Sequence, residues 1–321
     1  MTALAANPNT VRITDVSLRD GLQNEAALVP TAEKGRLAQA LWGSGVDEIE
    51  LTSFVSAKWI PQLGDAEALC VLVAGFEHGP TTPLLSALVP NEKGLAGLLA
   101  ANQAAGHRLI GKASVFTAAS EAFTRKNINA SIDESLQRFV PVIAQSHAAG
   151  LRVRGYISCV IACPLAGPVA PGQVAEVAAR LADLGVDEID LGDTIGAGTP
   201  ESTRAMLEAV LGRLGPGWLS PERLTLHLHD TFGQASACVL TALAMGVRSF
   251  DASVAGLGGC PYASQPGKPA PGNLATERLL ATLAGAGYVA GASAGAIDRA
   301  AAEARDILAR ARAHCQTGGA A

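Results

Sequence analysis

The heptapeptide Gly45-Val-Asp-Glu-Ile-Glu-Leu51 returns 140 residues later as Gly185-Val-Asp-Glu-Ile-Asp-Leu191, changed only by one Glu-to-Asp exchange. Each copy comes after a helical pattern, Leu37–Trp42 in one case and Val177–Leu184 in the other, that stops at a glycine suited to a helix C-cap. Each copy therefore reads as helix, glycine stop, short strand. The spacing holds four βα units of about 35 residues, the size of unit from which an eight-stranded barrel is built. Further apolar or alternating runs at Val11–Leu18, Leu84–Val89, Arg108–Phe116, Arg152–Val160, Leu224–His229 and Val247–Val254 bring the strand count to eight. Helical stretches such as Ser131–Ala149 and Pro200–Leu214 separate them, the alternation of a parallel sheet. Neither a Walker A motif nor a well-placed GxGxxG occurs, which weighs against a doubly wound nucleotide-binding fold. The expected class is α/β, a (β/α)8 TIM barrel. Its expected organisation is a tail over 1–10, a catalytic barrel over 11–283, a C-terminal helical cap over 284–315 and a tail over 316–321.

Composition removes several function classes. With 49% hydrophobic and 17% charged residues in 321, the chain has enough apolar surface for a sizeable core. Asp and Glu outnumber Lys and Arg by 29 to 24, and no basic run or aromatic-interleaved basic patch occurs, so neither nucleic acid nor a membrane surface is an expected partner. No apolar run of about 18 residues is present, which argues against a membrane span. The first residues lack a basic region of the kind that precedes an export signal, and the six cysteines are scattered without CxxC spacing. A reducing, cytoplasmic setting is expected.

In a barrel the C-terminal ends of the strands carry the chemistry, so the residues at and just beyond those ends locate the site. Polar and ionisable groups gather there: Arg19, Asp20 and Gln23 after the first strand, Glu50 in the second, Asp193 and Thr194 after the sixth, and His227-Leu-His229 in the seventh. Strand side chains alternate, so His227 and His229 share one face, here the barrel interior. Two imidazoles and a carboxylate suit a divalent ion with open positions, and Asp20 is the natural carboxylate. Arg19 reads as an electrophile for a developing enolate or carboxylate oxygen. Glu50 and Asp193, taken as equivalent positions near the two repeat strands, are candidates to position Arg19, orient a metal-bound water or act as a base. Cys260 stands in the glycine-rich run Gly256–Tyr262, with a Pro- and Gly-rich stretch after it, the composition of a mobile lid.

Taken together, Ser17-Leu-Arg-Asp-Gly-Leu-Gln-Asn-Glu25, Thr52-Ser-Phe-Val-Ser, Arg125-Lys-Asn-Ile-Asn129, Gly192-Asp-Thr-Ile-Gly196, His227-Leu-His-Asp-Thr231, Gly256-Leu-Gly-Gly-Cys-Pro-Tyr-Ala263 and Gly272-Asn-Leu-Ala-Thr-Glu277 resemble the 3-hydroxy-3-methylglutaryl-CoA lyase family. The resemblance implies retro-Claisen cleavage of 3-hydroxy-3-methylglutaryl-CoA to acetoacetate and acetyl-CoA, dependent on Mg²⁺ or Mn²⁺. It implies that Asp20, His227, His229 and Asn273 bind metal. It makes Arg19, Cys260, Asp193 and Glu50 catalytic, with Arg19, Gln23 and Thr194 touching substrate and Glu277 supporting the metal residues. Asp193 and His227 are the candidates for the base, and Cys260 for the proton that quenches the enolate. Three positions depart from the family pattern: Leu165-Ala166-Gly167 replaces Tyr-Glu-Gly, the segment from Cys260 to Asn273 is about four residues longer, and Arg278 comes after Glu277 where an acid is usual. They leave open a lyase acting on a related 3-hydroxyacyl-CoA, and a Claisen-condensing or aldolase relative is the other alternative. The expected partner is the small acyl-CoA substrate, with a homodimer left open.

Overall fold

The computed structural model describes residues 7–79, 81–258 and 272–318. Its strands are β1 (Arg12–Asp15), β2 (Glu48–Ser53), β3 (Leu84–Leu88), β4 (Lys112–Ala118), β5 (Arg152–Ser158), β6 (Ala162–Cys163), β7 (Gly167–Pro168), β8 (Glu188–Asp193), β9 (Leu224–Leu228) and β10 (Ser249–Ala252). Eight of them close a parallel barrel in the order β1, β2, β3, β4, β5, β8, β9, β10, with β10 pairing back onto β1. The remaining two form a small antiparallel hairpin, Ala162–Cys163 against Gly167–Pro168, which the sequence pattern did not announce.

The helices are α1 (Thr31–Trp42), α2 (Ala66–Ala74), α3 (Glu92–Ala105), α4 (Glu121–Ile128), α5 (Ile132–Ala148), α6 (Pro171–Asp183), α7 (Pro200–Leu214), α8 (Ala235–Ala244), α9 (Thr276–Gly285) and α10 (Ala294–Gly318). The long α5 starts where a capping box forms: the Ser131 side chain accepts from the Glu134 amide and the Glu134 carboxylate accepts from the Ser131 amide. The last helix buries Ile297, Ala300, Ala301, Ala304, Ile307, Leu308 and Ala311, a stripe at helical spacing. Small residues on that stripe allow close approach to α1, and Arg36 pairs with Glu303 at 2.9 Å along the seam.

The repeat has a structural explanation. Gly45 and Gly185 both take left-handed conformations, at φ +86° and +90°, and so release the chain from helix to strand. The aspartates two residues on do the same work one strand back: Asp47 accepts from the Ile13 amide at 2.9 Å and Asp187 from the Val153 amide at 2.7 Å. The next residues, Glu48 and Glu188, enter the barrel and meet at Lys112, whose Nζ lies 2.5 Å from each. Each copy is the second strand of a four-strand half.

Strand ends move where the chemistry lies. The run expected to continue to Leu18 stops at Asp15, and Ser17–Gly21 forms one wide turn in which the Gly21 amide bonds back five residues to the Val16 carbonyl at 3.0 Å. The Asp15 carboxylate accepts from the Ser17 amide at 3.0 Å, which ends the ladder there. The strand expected over Arg108–Phe116 begins only at Lys112, because the Ile110 amide is taken by the Asn102 side chain.

Candidate active site

Beneath the site, the barrel interior is ionic. Inward positions carry Glu48, Lys112, Arg154, Glu188, Asp190 and Asp251, all buried. The Arg154 guanidinium lies 2.7 Å from Glu188, 3.2 Å from Glu48, 3.4 Å from Asp251 and 3.6 Å from Asp190. Glu188 and Asp190 stand two apart on β8, so the pleat turns both inward, where Glu48 of β2, Lys112 of β4, Arg154 of β5 and Asp251 of β10 meet them.

Above this cluster the wide turn Ser17–Gly21 aims Arg19 and Asp20 across the barrel mouth. The Arg19 side chain donates through Nε to Glu50 at 2.5 Å and through Nη1 to Asp20 at 2.5 Å. Its guanidinium also stands over the Tyr156 ring, 5.4 Å from the centroid. Burial opposes its charge, but Glu50 and Asp20 outweigh burial and hold the guanidinium protonated. Burial would likewise raise the Asp20 carboxyl, yet Arg19, His227 and His229 hold it well below the usual range. Burial does raise Glu50 above its ordinary value, against the pull of Arg19 and Arg154.

The opposite wall comes from the end of β9 and the residue after it, His229, which bridges to Asn273. His227 Nε2 lies 3.9 Å and His229 Nε2 3.8 Å from Asp20 Oδ2. Those gaps are too long for hydrogen bonds. One carboxylate oxygen and two imidazole nitrogens within 4.8 Å of one another form a set that could hold a metal ion, and the donor types suit a divalent one. His229 is available as a neutral ligand, because burial and the neighbouring His227 lower it to about 4. His227 is raised instead: burial opposes its protonation, but the bond to Asp251 and the charge of Asp20 prevail. Asn273 donates through Nδ2 to Asp20 Oδ2 and to the Leu257 carbonyl, both at 2.9 Å.

Arg19, Asp20, Gln23, Thr194, His227 and His229 all line one cavity of about 610 Å³. The lining also includes the apolar Leu88, Phe116, Phe123 and Phe139, and Asn127, Asn129 and Arg138 from the α4–α5 corner. Asp193 and Glu50 are not part of the lining. Glu50 acts on Arg19 from behind. Asp193 accepts the amides of Ala197 and Gly198 at 3.1 and 2.7 Å, and burial raises it to about 6 despite those bonds. The two are not equivalent either, since the register of the repeat puts Asp190 where Glu50 stands. Glu277 accepts from the Ala255 amide at 3.0 Å and faces Arg305 at 3.6 Å, so its contacts brace the turn after β10. Cys260 and the rest of the expected lid, residues 259–271, lie outside the described residues. At the foot of that segment the backbones pinch together: a Cβ on Gly272 would collide with the Gly258 carbonyl, so glycine is required there.

Sequence reasoning missed Tyr156, Arg154 and Asp251. For Arg154 and Tyr156 the signal was present as Arg152-Val-Arg-Gly-Tyr-Ile-Ser158, where polar groups recur every second residue in a strand otherwise apolar; Asp251 lies on another strand, outside that run.

The HMGL-like family model matches residues 10–303. The chain is 48% identical over 284 residues to the mitochondrial hydroxymethylglutaryl-CoA lyase of Bos taurus, covering 88% of this chain and 81% of that protein. It is 47% identical over 279 residues to a 3-hydroxy-3-isohexenylglutaryl-CoA/hydroxy-methylglutaryl-CoA lyase of Pseudomonas aeruginosa, covering 87% and 86%. Among solved structures, the HMG-CoA lyase from Brucella melitensis superposes with a TM-score of 0.85 at 41% identity, covering 94% of this chain and 99% of that one. With the barrel, the shared residues and these matches together, the chain belongs to the HMGL-like family.

Proposed function

We propose that this chain is a carbon–carbon lyase that cleaves 3-hydroxy-3-methylglutaryl-CoA to acetoacetate and acetyl-CoA with the help of Mg²⁺ or Mn²⁺. The observation that carries the reading is the convergence of Arg19, Asp20, His227 and His229 on one cavity. Asp20, His227 and His229 would hold the ion, and Asn273, braced through Nδ2, has Oδ1 as its only ligand atom. Bound there, a divalent ion supplies Lewis-acid polarisation of substrate oxygens.

The cleavage breaks the bond between C2 and C3. The C3 hydroxyl loses its proton, its oxygen becomes the ketone of acetoacetate, and the electron pair moves to C2 and the thioester oxygen as an enolate. Arg19 neutralises that oxygen, held in place by Glu50, Asp20 and the Tyr156 ring. His227 cannot be both ligand and base, because Nδ1 is engaged by Asp251 and Nε2 faces the ligand set. Asp193 is then the remaining base candidate: it stands behind the cavity lining, so the proton reaches it through an intervening group, and its raised carboxyl favours accepting one near neutral pH. Cys260 keeps its proposed part in protonating the enolate. The five described cysteines are all free thiols, which suits a reducing compartment, and among the described residues no helix is long and apolar enough to cross a membrane.

A second substrate has specific support: the apolar residues Leu88, Phe116, Phe123 and Phe139 in the cavity lining, and a relative named for a 3-isohexenyl substrate as well. The test is acetoacetate release from 3-hydroxy-3-methylglutaryl-CoA by chelator-treated protein, with and without added Mg²⁺ or Mn²⁺. Metal-restored release is expected. Full activity in verified metal-free protein would remove the metal, and no release under any metal would remove the reaction. A higher kcat/KM for a longer 3-alkyl homologue would transfer the assignment to that substrate.

A further inference from the structure

The two imidazoles of the site are not held alike. Asp251 and His227 are direct partners in the parallel ladder between β10 and β9, so both side chains point into the barrel side by side. The Asp251 Oδ2 lies 3.1 Å from His227 Nδ1. The same oxygen accepts from the Tyr156 hydroxyl at 3.2 Å, while Oδ1 faces the Arg154 guanidinium at 3.4 Å. By contrast, His229 Nδ1 is buried with no hydrogen-bond partner among the described residues.

A carboxylate accepts and cannot donate, so its contact with Nδ1 requires the ring proton to sit on Nδ1. The lone pair is then on Nε2, which is the nitrogen that faces Asp20. Asp190, His227 and Asp251 also come within 4.8 Å of one another, but the Arg154 guanidinium already supplies the cation between those two carboxylates. That cluster is therefore support for the site above it and not a second metal site.

We infer that Asp251 is a positioning residue for metal binding: it fixes the His227 tautomer and ring orientation, and through Arg154 and Tyr156 it ties that ligand to the ionic core. This rests on the metal reading above. Outer partners of this kind typically contribute about 10–100-fold to metal affinity.

Binding of Mn²⁺ to the chelator-stripped full chain, monitored by the EPR signal of the free ion, tests this without reference to turnover. Asp251→Asn keeps the size and loses the anionic acceptor, and is expected to weaken Mn²⁺ binding about 10–100-fold. Asp190→Asn changes a neighbour of both Arg154 and Asp251 but leaves the Asp251 carboxylate on Nδ1, and is expected to bind Mn²⁺ within a few-fold of the unaltered chain. Unchanged affinity in Asp251→Asn, or an equal loss in both variants, would overturn the inference. Should Asp251→Asn fail to fold, ¹⁵N-histidine NMR of the unaltered protein decides: an Nδ1–H tautomer at His227 supports it, and an Nε2–H tautomer overturns it. No Mn²⁺ binding by the unaltered chain would sink the metal reading itself, and this inference with it.

Discussion

Arg19 is held by three groups before any substrate arrives, so its orientation costs nothing at the moment of reaction. Arg19→Gln should therefore lower kcat by about 10²–10³ with little change in KM, since the charge it meets is absent from the ground state. Steady-state kinetics check this, and near-normal kcat with a large KM would reassign Arg19 to binding. Asp193 sets a pH limit. It faces His227 from β9, Cys159 just beyond β5 and Cys238 from α8, with the amides of its own loop around the carboxylate. A base must be deprotonated, so kcat should fall as pH drops through about 6, the value to which burial raises Asp193. In Asp193→Asn the activity should be lost at every pH while Mn²⁺ affinity stays. The stability sign is opposite: a carboxyl raised on folding favours the folded state at low pH, and that contribution is lost as pH rises through the folded value.

Among elements, the wide turn Ser17–Gly21 matters most, because it redirects Arg19 and Asp20 from a strand line into the barrel mouth. A Cβ on Gly21 would lie 2.9 Å from both Leu257 Cβ and Ser253 Oγ. Gly21→Ala should cost about 1–3 kcal/mol by forcing those contacts apart. Calorimetry should show Tm lower by a few degrees, with Mn²⁺ affinity falling as Asp20 shifts. The turn also marks the limit of what the sequence disclosed. Glycine stops, apolar runs and the same-face histidines are local patterns, and they yielded the barrel and the His227–His229 pair. The turn stayed hidden, since Val11–Leu18 alternates like a strand and is interrupted only by Asp15 reaching the Ser17 amide. The pairing of Asp251 with His227 and Tyr156 was hidden for a related reason: these partners lie 24 and 95 residues away, and only barrel closure makes them neighbours.

At the scale of the whole molecule, the barrel is closed around charge as well as around aliphatic side chains. Arg154 balances Glu48, Glu188 and Asp251 in the buried interior, so removing it leaves Asp251 without its guanidinium and Lys112 alone against Glu48 and Glu188. Arg154→Met should cost about 3–5 kcal/mol, read as a lower denaturation midpoint, although Met packs well in apolar cores. Glu48 and Lys112 come from the first four barrel strands, and Arg154, Glu188 and Asp251 from the last four. The site divides along the same line, with Arg19 and Asp20 on one side and His227 and His229 on the other. A chain severed at the exposed turn Ala149–Gly150 would thus yield two fragments with complementary halves of one ionic core, each short of half a catalytic centre. Co-expressed, they should find each other and restore lyase turnover that neither has alone, which makes the enzyme's own activity a reporter of its reassembly.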